Sequence, residues 1–160
     1  MNLEESKQQT RSAFANRAML YFYLFDEMRK AFGTERAKDV FTRAVRRRGE
    51  DVGAKYAQAA EAGDFDAIAR RFVADSPCEG ELFEPAVLDV DADGCTLTMS
   101  SCPLVDAWRE AGLDDEEVAL MCRLAAEIDF ATFESVGLTL DMDEKIGEGA
   151  RACKLVLRRR

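Results

Sequence analysis

The 160-residue chain contains no histidine. No Ser-His or Cys-His catalytic pair can therefore form, and no imidazole can ligate a metal. Proton transfer near neutral pH falls to Asp, Glu, Cys, Lys, Tyr or a bound water. Long apolar runs are also missing: none approaches the roughly 20 residues needed to cross a bilayer, so no membrane partner is expected. The opening MNLEESKQQTR has no basic start followed by a hydrophobic stretch. No secretory signal is expected, and the chain reads as cytoplasmic. Its five cysteines include no Cys-x-x-Cys pair, which removes the usual zinc-ribbon spacing. Their odd number in such a compartment points to reduced thiols, not a disulfide framework. A Gly-rich phosphate loop is absent as well, because Gly147-Glu148-Gly149 is too short and lies in the wrong context.

Positive charge is scarce relative to negative, leaving a net charge of −9. Duplex binding needs clustered cations, so no nucleic-acid partner is expected. The two basic runs, Arg46-Arg47-Arg48 and Arg158-Arg159-Arg160, read as a solvated helix end and a tail.

What is present fits one soluble domain over residues 1–160, long enough to bury more than half of its unfolded surface. Residues 1–76 read as a helical half and 77–160 as a mixed half carrying the candidate site. The stretch from Gln8 to Phe32 has no Gly or Pro, and Phe14, Ala18, Tyr21, Leu24, Phe25 and Met28 share one helix face. Leu20, Phe22 and Tyr23 widen that face, predicting burial on more than one side. Such a surface also makes a homodimer a partner to test by light scattering. Gly33 ends this helix, and Thr34 is positioned to cap the next, expected from Glu35 to about Ala60. Gly49 and Gly53 inside it each cost up to ~1 kcal/mol of helix propensity relative to Ala. Either another helix comes close there, or backbone is left open for a ligand. A third helix is expected over Phe65–Ala74.

Beyond Pro77 and Pro85 the pattern changes. Val87, Leu88 and Val90, the turn Asp91-Ala92-Asp93-Gly94, and the alternation from Cys95 to Met99 predict a β-hairpin. A helix follows from Pro103 to Ala111, and Asp114 with Glu117 starts another that reaches about Glu134. Strands are expected over Leu138–Met142 and Ala152–Leu157. The fold class is α+β: an N-terminal helical half packed on a small C-terminal antiparallel sheet with two helices.

Proline favours the first helical position, so Cys102 falls at the N-cap of the helix beginning at Pro103. The helix dipole and free amides there are expected to lower its thiol pKa. Asp106, one turn on, is a candidate for proton transfer, and its alternative is a solvated carboxylate. Trp108 either anchors the core or lines a pocket. Cys122, Ala125, Ala126 and Asp129 share one face of the following helix, with Cys122 and Asp129 ~10 Å apart along the axis. An aspartate on so apolar a face is costly to bury alone, so Asp129 is either a bonded structural carboxylate or a site residue. Cys153 alternates with Leu155 and Leu157 and is a core or a site thiol. Cys78 and Cys95 are the cysteines least expected in a site. Cys102, Cys122 and Cys153 are also the candidates for a thiolate-bound metal, although no cofactor is otherwise implied.

The segments RAMLYFYLFDEMRKAFGTERAKDVFTRAVRRRGEDVGAKYA, SCPLVDAWREAGLDDEEVALMCRLAAEID and GEGARACKLVLR together resemble the L-2-amino-thiazoline-4-carboxylic acid hydrolase family. The matching elements are Cys102, Pro103, Trp108, Cys122, Asp129, Gly149 and Cys153. The resemblance implies hydrolytic opening of a small cyclic amidine at a C–N bond. Water would add to the C=N carbon and give an N-carbamoyl-cysteine-type product. On this reading Cys102, Cys122, Asp129 and Asp106 are the catalytic candidates. Trp108, Cys153 and Arg109 are the substrate-binding candidates, with Arg123 an alternative to Arg109 for a substrate carboxylate. Either Cys102 attacks the amidine carbon or a carboxylate activates water to do so. Two other classes remain: an isomerase or lyase using paired thiols as acid and base, and a ligand- or metal-binding module without turnover.

Overall fold

The computed structural model describes residues 2–160. Helix α1 (Leu3–Phe32) begins before its apolar pattern does. Asn2 accepts a hydrogen bond from the Glu5 N–H, and the Glu5 carboxylate accepts one from the Asn2 N–H, so two free amides of the first turn are satisfied. Gly33, at φ 84°, ends α1 and itself occupies the N-cap of α2 (Thr34–Gly53), so Thr34 does not cap. The burial expected around α1 is one-sided. Ala18 and Phe25 are buried, and Tyr21 meets Phe41 edge-on at 5.3 Å, whereas Leu20, Tyr23 and Leu24 are exposed. Helices α2 and α5 (Pro103–Glu110) pack against α1, and among the described residues nothing covers Leu20, Tyr23 and Leu24, which explains the difference.

Helix α2 lies along α6 (Asp115–Glu134). Its glycines are explained by that crossing and not by a ligand. A Cβ at Gly49 would stand 2.7 Å from the Ala131 Cβ, and one at Gly53 would stand 2.5 Å from the Thr132 carbonyl. The Thr132 hydroxyl donates to the Gly49 carbonyl at 3.2 Å, and Arg46 reaches both Glu127 and Glu134. After Gly53 the chain turns into the short α3 (Ala57–Ala62), so the expected second helix is two pieces. Helix α4 (Phe65–Ala74) is capped by Asp64, whose side chain accepts from the Ala67 N–H.

Strands β1 (Pro85–Val90), β2 (Gly94–Met99), β3 (Leu138–Asp141) and β4 (Cys153–Arg159) form one antiparallel sheet in the order β1-β2-β4-β3. Between β2 and β4 the register sets Cys95 opposite Leu157, Leu97 opposite Leu155 and Met99 opposite Cys153. One face of these strands buries Cys95, Leu97, Leu155 and Leu157 beneath the helices. The fold is α+β, and one apolar core joins α1, α2, α4, α5 (Pro103–Glu110), α6 and the sheet. Trp108 is its largest fully buried side chain, and its indole N–H donates to the Ala18 carbonyl at 2.8 Å. That bond satisfies the one polar atom of a buried indole and ties α5 to α1. Among the described residues, no helix is long and apolar enough to cross a membrane.

Candidate functional site

The β2–α5 connection carries Cys102 at the N-cap of α5, with Pro103 at the first helical position. No side-chain hydrogen bond caps the helix, so the amides of Val105 and Leu104 act on the sulfur as oriented dipoles. They do not make it acidic. Burial pushes the Cys102 thiol up to about 11, opposite to the lowering expected from its place in the sequence. The magnitudes explain the sign. A helix terminus contributes about 0.3–1 kcal/mol, less than one pKa unit, whereas burial shifts a thiol by up to several units.

Cys122 projects from the middle of α6 against Gly147. A Cβ on Gly147 would stand 2.6 Å from the Cys122 sulfur, so only glycine lets the 146–148 turn lie on this thiol. Burial pushes Cys122 up to about 12 despite the Gly147 amide. The same turn reaches the third sulfur: the Ile146 N–H points at the Cys153 Sγ at 3.4 Å. Burial raises the Cys153 thiol too, and the Asp129 charge adds to the rise.

Asp129 follows Cys122 by two helical turns. Burial pushes its carboxyl up to about 7, and the Arg17 guanidinium on α1 opposes the rise. The residue is half-buried, and the surface it keeps lines a cavity of about 300 Å³. Cys102, Cys122, Cys153, Asp129 and Trp108 all line that cavity. Ala125 and Ala126 supply the open wall between Cys122 and Asp129. The Met99–Cys153 pair closes it on the sheet side. Although the three thiols share this cavity, no group of three Cys, Asp or Glu among the described residues is clustered tightly enough to hold a metal ion.

The family model for L-2-amino-thiazoline-4-carboxylic acid hydrolase matches residues 13–157, a span that includes every one of these cavity-lining residues. The chain belongs to that family. No curated protein matches its sequence. Two solved structures share the fold of this family member. One is the phenol-responsive sensory domain of the transcription activator PoxR with phenol, at 13% identity and TM-score 0.55, covering 91% of this chain and 74% of that one. The other is a trafficking protein particle complex subunit 3 from Naegleria fowleri covalently bound to palmitic acid, at 11% identity and TM-score 0.60, covering 92% and 95%. At these identities the likeness is one of fold.

Three candidates, Asp106, Arg109 and Arg123, lie away from the cavity of this family member. Helix α5 buries Leu104, Val105, Ala107 and Trp108, which turns Asp106 and Arg109 to solvent. Arg109 donates to the Ile146 carbonyl at 3.1 Å, bracing the turn that carries Gly147. Arg123 pairs with Glu148 at 2.7 Å on the surface. In their place the fold brings Arg17, Tyr56 and Lys145 to the cavity. Burial pushes the Tyr56 hydroxyl up to about 12, so it is a neutral donor at pH 7. Arg17 had a signal in the sequence: it is the one charged residue between Ala13 and Phe25, on the face shared by Phe14 and Tyr21. Tyr56 had one too, lying at helical spacing from Val45 and Val52 on the inward side of the second helical stretch, whereas Lys145 had none, because it enters from a connection between elements.

Proposed function

We propose that this cavity is where water opens a small cyclic amidine of the aminothiazoline-carboxylate type. The observation that carries the reading is Asp129, a carboxyl with a pKa near 7 in the same cavity as three thiols that burial keeps protonated. A general base is most effective when its pKa lies near the working pH. Thiols raised to about 11 and 12 are poor nucleophiles at that pH, because the thiolate is the attacking form. Of the two routes open from sequence, this favours carboxylate-activated water over attack by Cys102.

In the proposed reaction, Asp129 accepts a proton from water as the oxygen bonds to the amidine carbon, and the C=N π pair moves to nitrogen. Collapse of the tetrahedral species forms C=O, and the hydroxyl proton it releases replaces the one taken up by the ring nitrogen. An N-carbamoyl-cysteine-type product requires the ring carbon–sulfur bond to break, with the sulfur leaving as a thiol after taking the proton held by Asp129. The C–N bond named from sequence is therefore the one hydrated, and the C–S bond is the one cleaved. Breaking the ring C–N bond instead would leave the sulfur acylated and no free thiol. Neutral Tyr56 and the cavity thiols are donors to the nitrogen on which charge develops.

The test is to incubate the protein with 2-amino-2-thiazoline-4-carboxylate and follow thiol release with a thiol reagent and product mass. One thiol and one added water per turnover, lost in Asp129→Asn, is the expected result. A product that gains no water, and takes up only solvent deuterium when the reaction is run in D2O, would replace this reading with the isomerase.

A second reading has its own observation. Of the two solved structures with this fold, one is described with phenol and the other is covalently bound to palmitic acid. A cavity walled largely by apolar side chains can likewise hold a ligand without turnover. Tight binding with no change in the aminothiazoline over hours would favour it.

A further inference from the structure

Arg17 is half-buried among aromatic rings on α1. Its guanidinium carbon lies 4.3 Å from the centroid of the Phe14 ring, and Phe14 is itself held edge-on by Phe83 at 5.4 Å. The Arg17 Nε is buried and, among the described residues, has no hydrogen-bond partner. A guanidinium stays charged at any relevant pH, and a buried donor left unpaired is costly, so such an arrangement is stable when something completes it. The other two cations lining the cavity are already engaged. Lys145 donates to the Met142 carbonyl and pairs with Glu148 at 3.3 Å, and Lys55 pairs with Asp75 at 3.6 Å. Ser76 Oγ, the other buried side-chain polar atom without a partner among the described residues, belongs to a residue that lines the same cavity.

We infer that Arg17 is the anchor for the carboxylate of a small monocarboxylate ligand in this cavity, held on the Phe14 ring with its donors turned to the bound anion. This deepens the hydrolase reading by assigning the group that recognises the acid of the substrate, and it rests on the same cavity. The planar fork of donors suits the two oxygens of a carboxylate. A single arginine facing the Asp129 carboxyl also favours a singly charged group, because a phosphate dianion would meet a like charge with one cation to offset it. The cavity of about 300 Å³ lies at the small end of ligand pockets, which fits a compact heterocyclic acid.

Calorimetry with two probes that cannot be hydrolysed as amidines tests this without turnover: L-thiazolidine-4-carboxylate and L-thiazolidine-4-carboxamide. The wild-type protein is expected to bind the acid at least tenfold more tightly than the amide. Arg17→Gln should close that gap, and Arg17→Lys should retain part of it. Equal binding of acid and amide by the wild type, binding of neither at millimolar concentration, or an unchanged gap in a folded Arg17→Gln would overturn the inference. If Arg17→Gln does not fold, the acid-against-amide comparison in the wild type decides alone. A tenfold preference for the acid together with no turnover of the aminothiazoline would remove the hydrolase reading and leave the anchor standing.

Discussion

Arg17 on α1 and Asp129 on α6 face one cavity from opposite ends of the sequence, and the guanidinium holds down a carboxyl that burial drives up to about 7. The two are coupled through charge, so a change at one is read at the other. If ionised Asp129 is the base, kcat/KM for the aminothiazoline rises with pH through about 7 and levels off above it. Arg17→Gln removes the opposing charge, and the midpoint of that limb moves to higher pH. A pH–rate profile of the two proteins measures this; an unmoved midpoint would separate the limb from Asp129. Asp129→Asn is expected to lose 10²-fold or more in kcat.

The same carboxyl makes stability depend on pH. Its folded pKa, about 7, lies above the 3.8 ordinary for an aspartate, so the folded state holds a proton that the unfolded chain releases. The stabilisation is fully present below pH 4 and is lost as pH rises towards 7, with a slope of up to ~1.4 kcal/mol per pH unit from this group. Urea denaturation of wild type and Asp129→Asn across pH 4–8 checks it. The variant should lack that component of the slope and be the more stable of the two at pH 8.

For the thiols the expectation is inertness. With pKa values near 11 and 12, Cys102 and Cys122 are ionised at pH 7.5 to the extent of roughly one part in a thousand or less. Iodoacetamide followed by peptide mass mapping should label both far more slowly in the native protein than after unfolding. Cys102→Ser and Cys122→Ser should each keep activity within about tenfold. A loss as large as that of Asp129→Asn would restore a direct chemical role for the thiol.

The α2–α6 crossing supplies a structural prediction. Gly49→Ala puts a methyl group against the Ile128 carbonyl and the Ala131 side chain, both fixed by the helix, and is expected to cost roughly 1–3 kcal/mol. Arg47→Ala, on the exposed face of the same helix, should change the urea midpoint little. Equal midpoints for the two variants would mean that α2 and α6 separate easily.

Much of this architecture was legible because local signals and tertiary needs agreed. The Asp91–Gly94 turn, the Asp114 cap and the Pro103 helix start each lie where residue chemistry places them. The shared face of Cys122, Ala125, Ala126 and Asp129 was legible too, since helical period alone sets it. What could not be read was which side of an element the rest of the chain covers. Asp106 and Arg109 lie close to Cys102 in sequence but on the outer face of α5. Arg17 is more than a hundred residues from Asp129 and shares its cavity. The acidity of Cys102 failed for a related reason: its helix terminus is visible in the sequence, and the depth of its burial is not.

The pairing of Met99 with Cys153 bears on the order in which the molecule assembles. Side chains on a strand alternate between faces, so sliding β4 by one residue along β2 would carry Cys153 out of the cavity and Leu155 and Leu157 out of the core together. The site thiol and the apolar seam are set by one choice of alignment. The chain cannot complete its cavity early in folding and mend its sheet afterwards, and a misaligned sheet would leave a cavity without one wall.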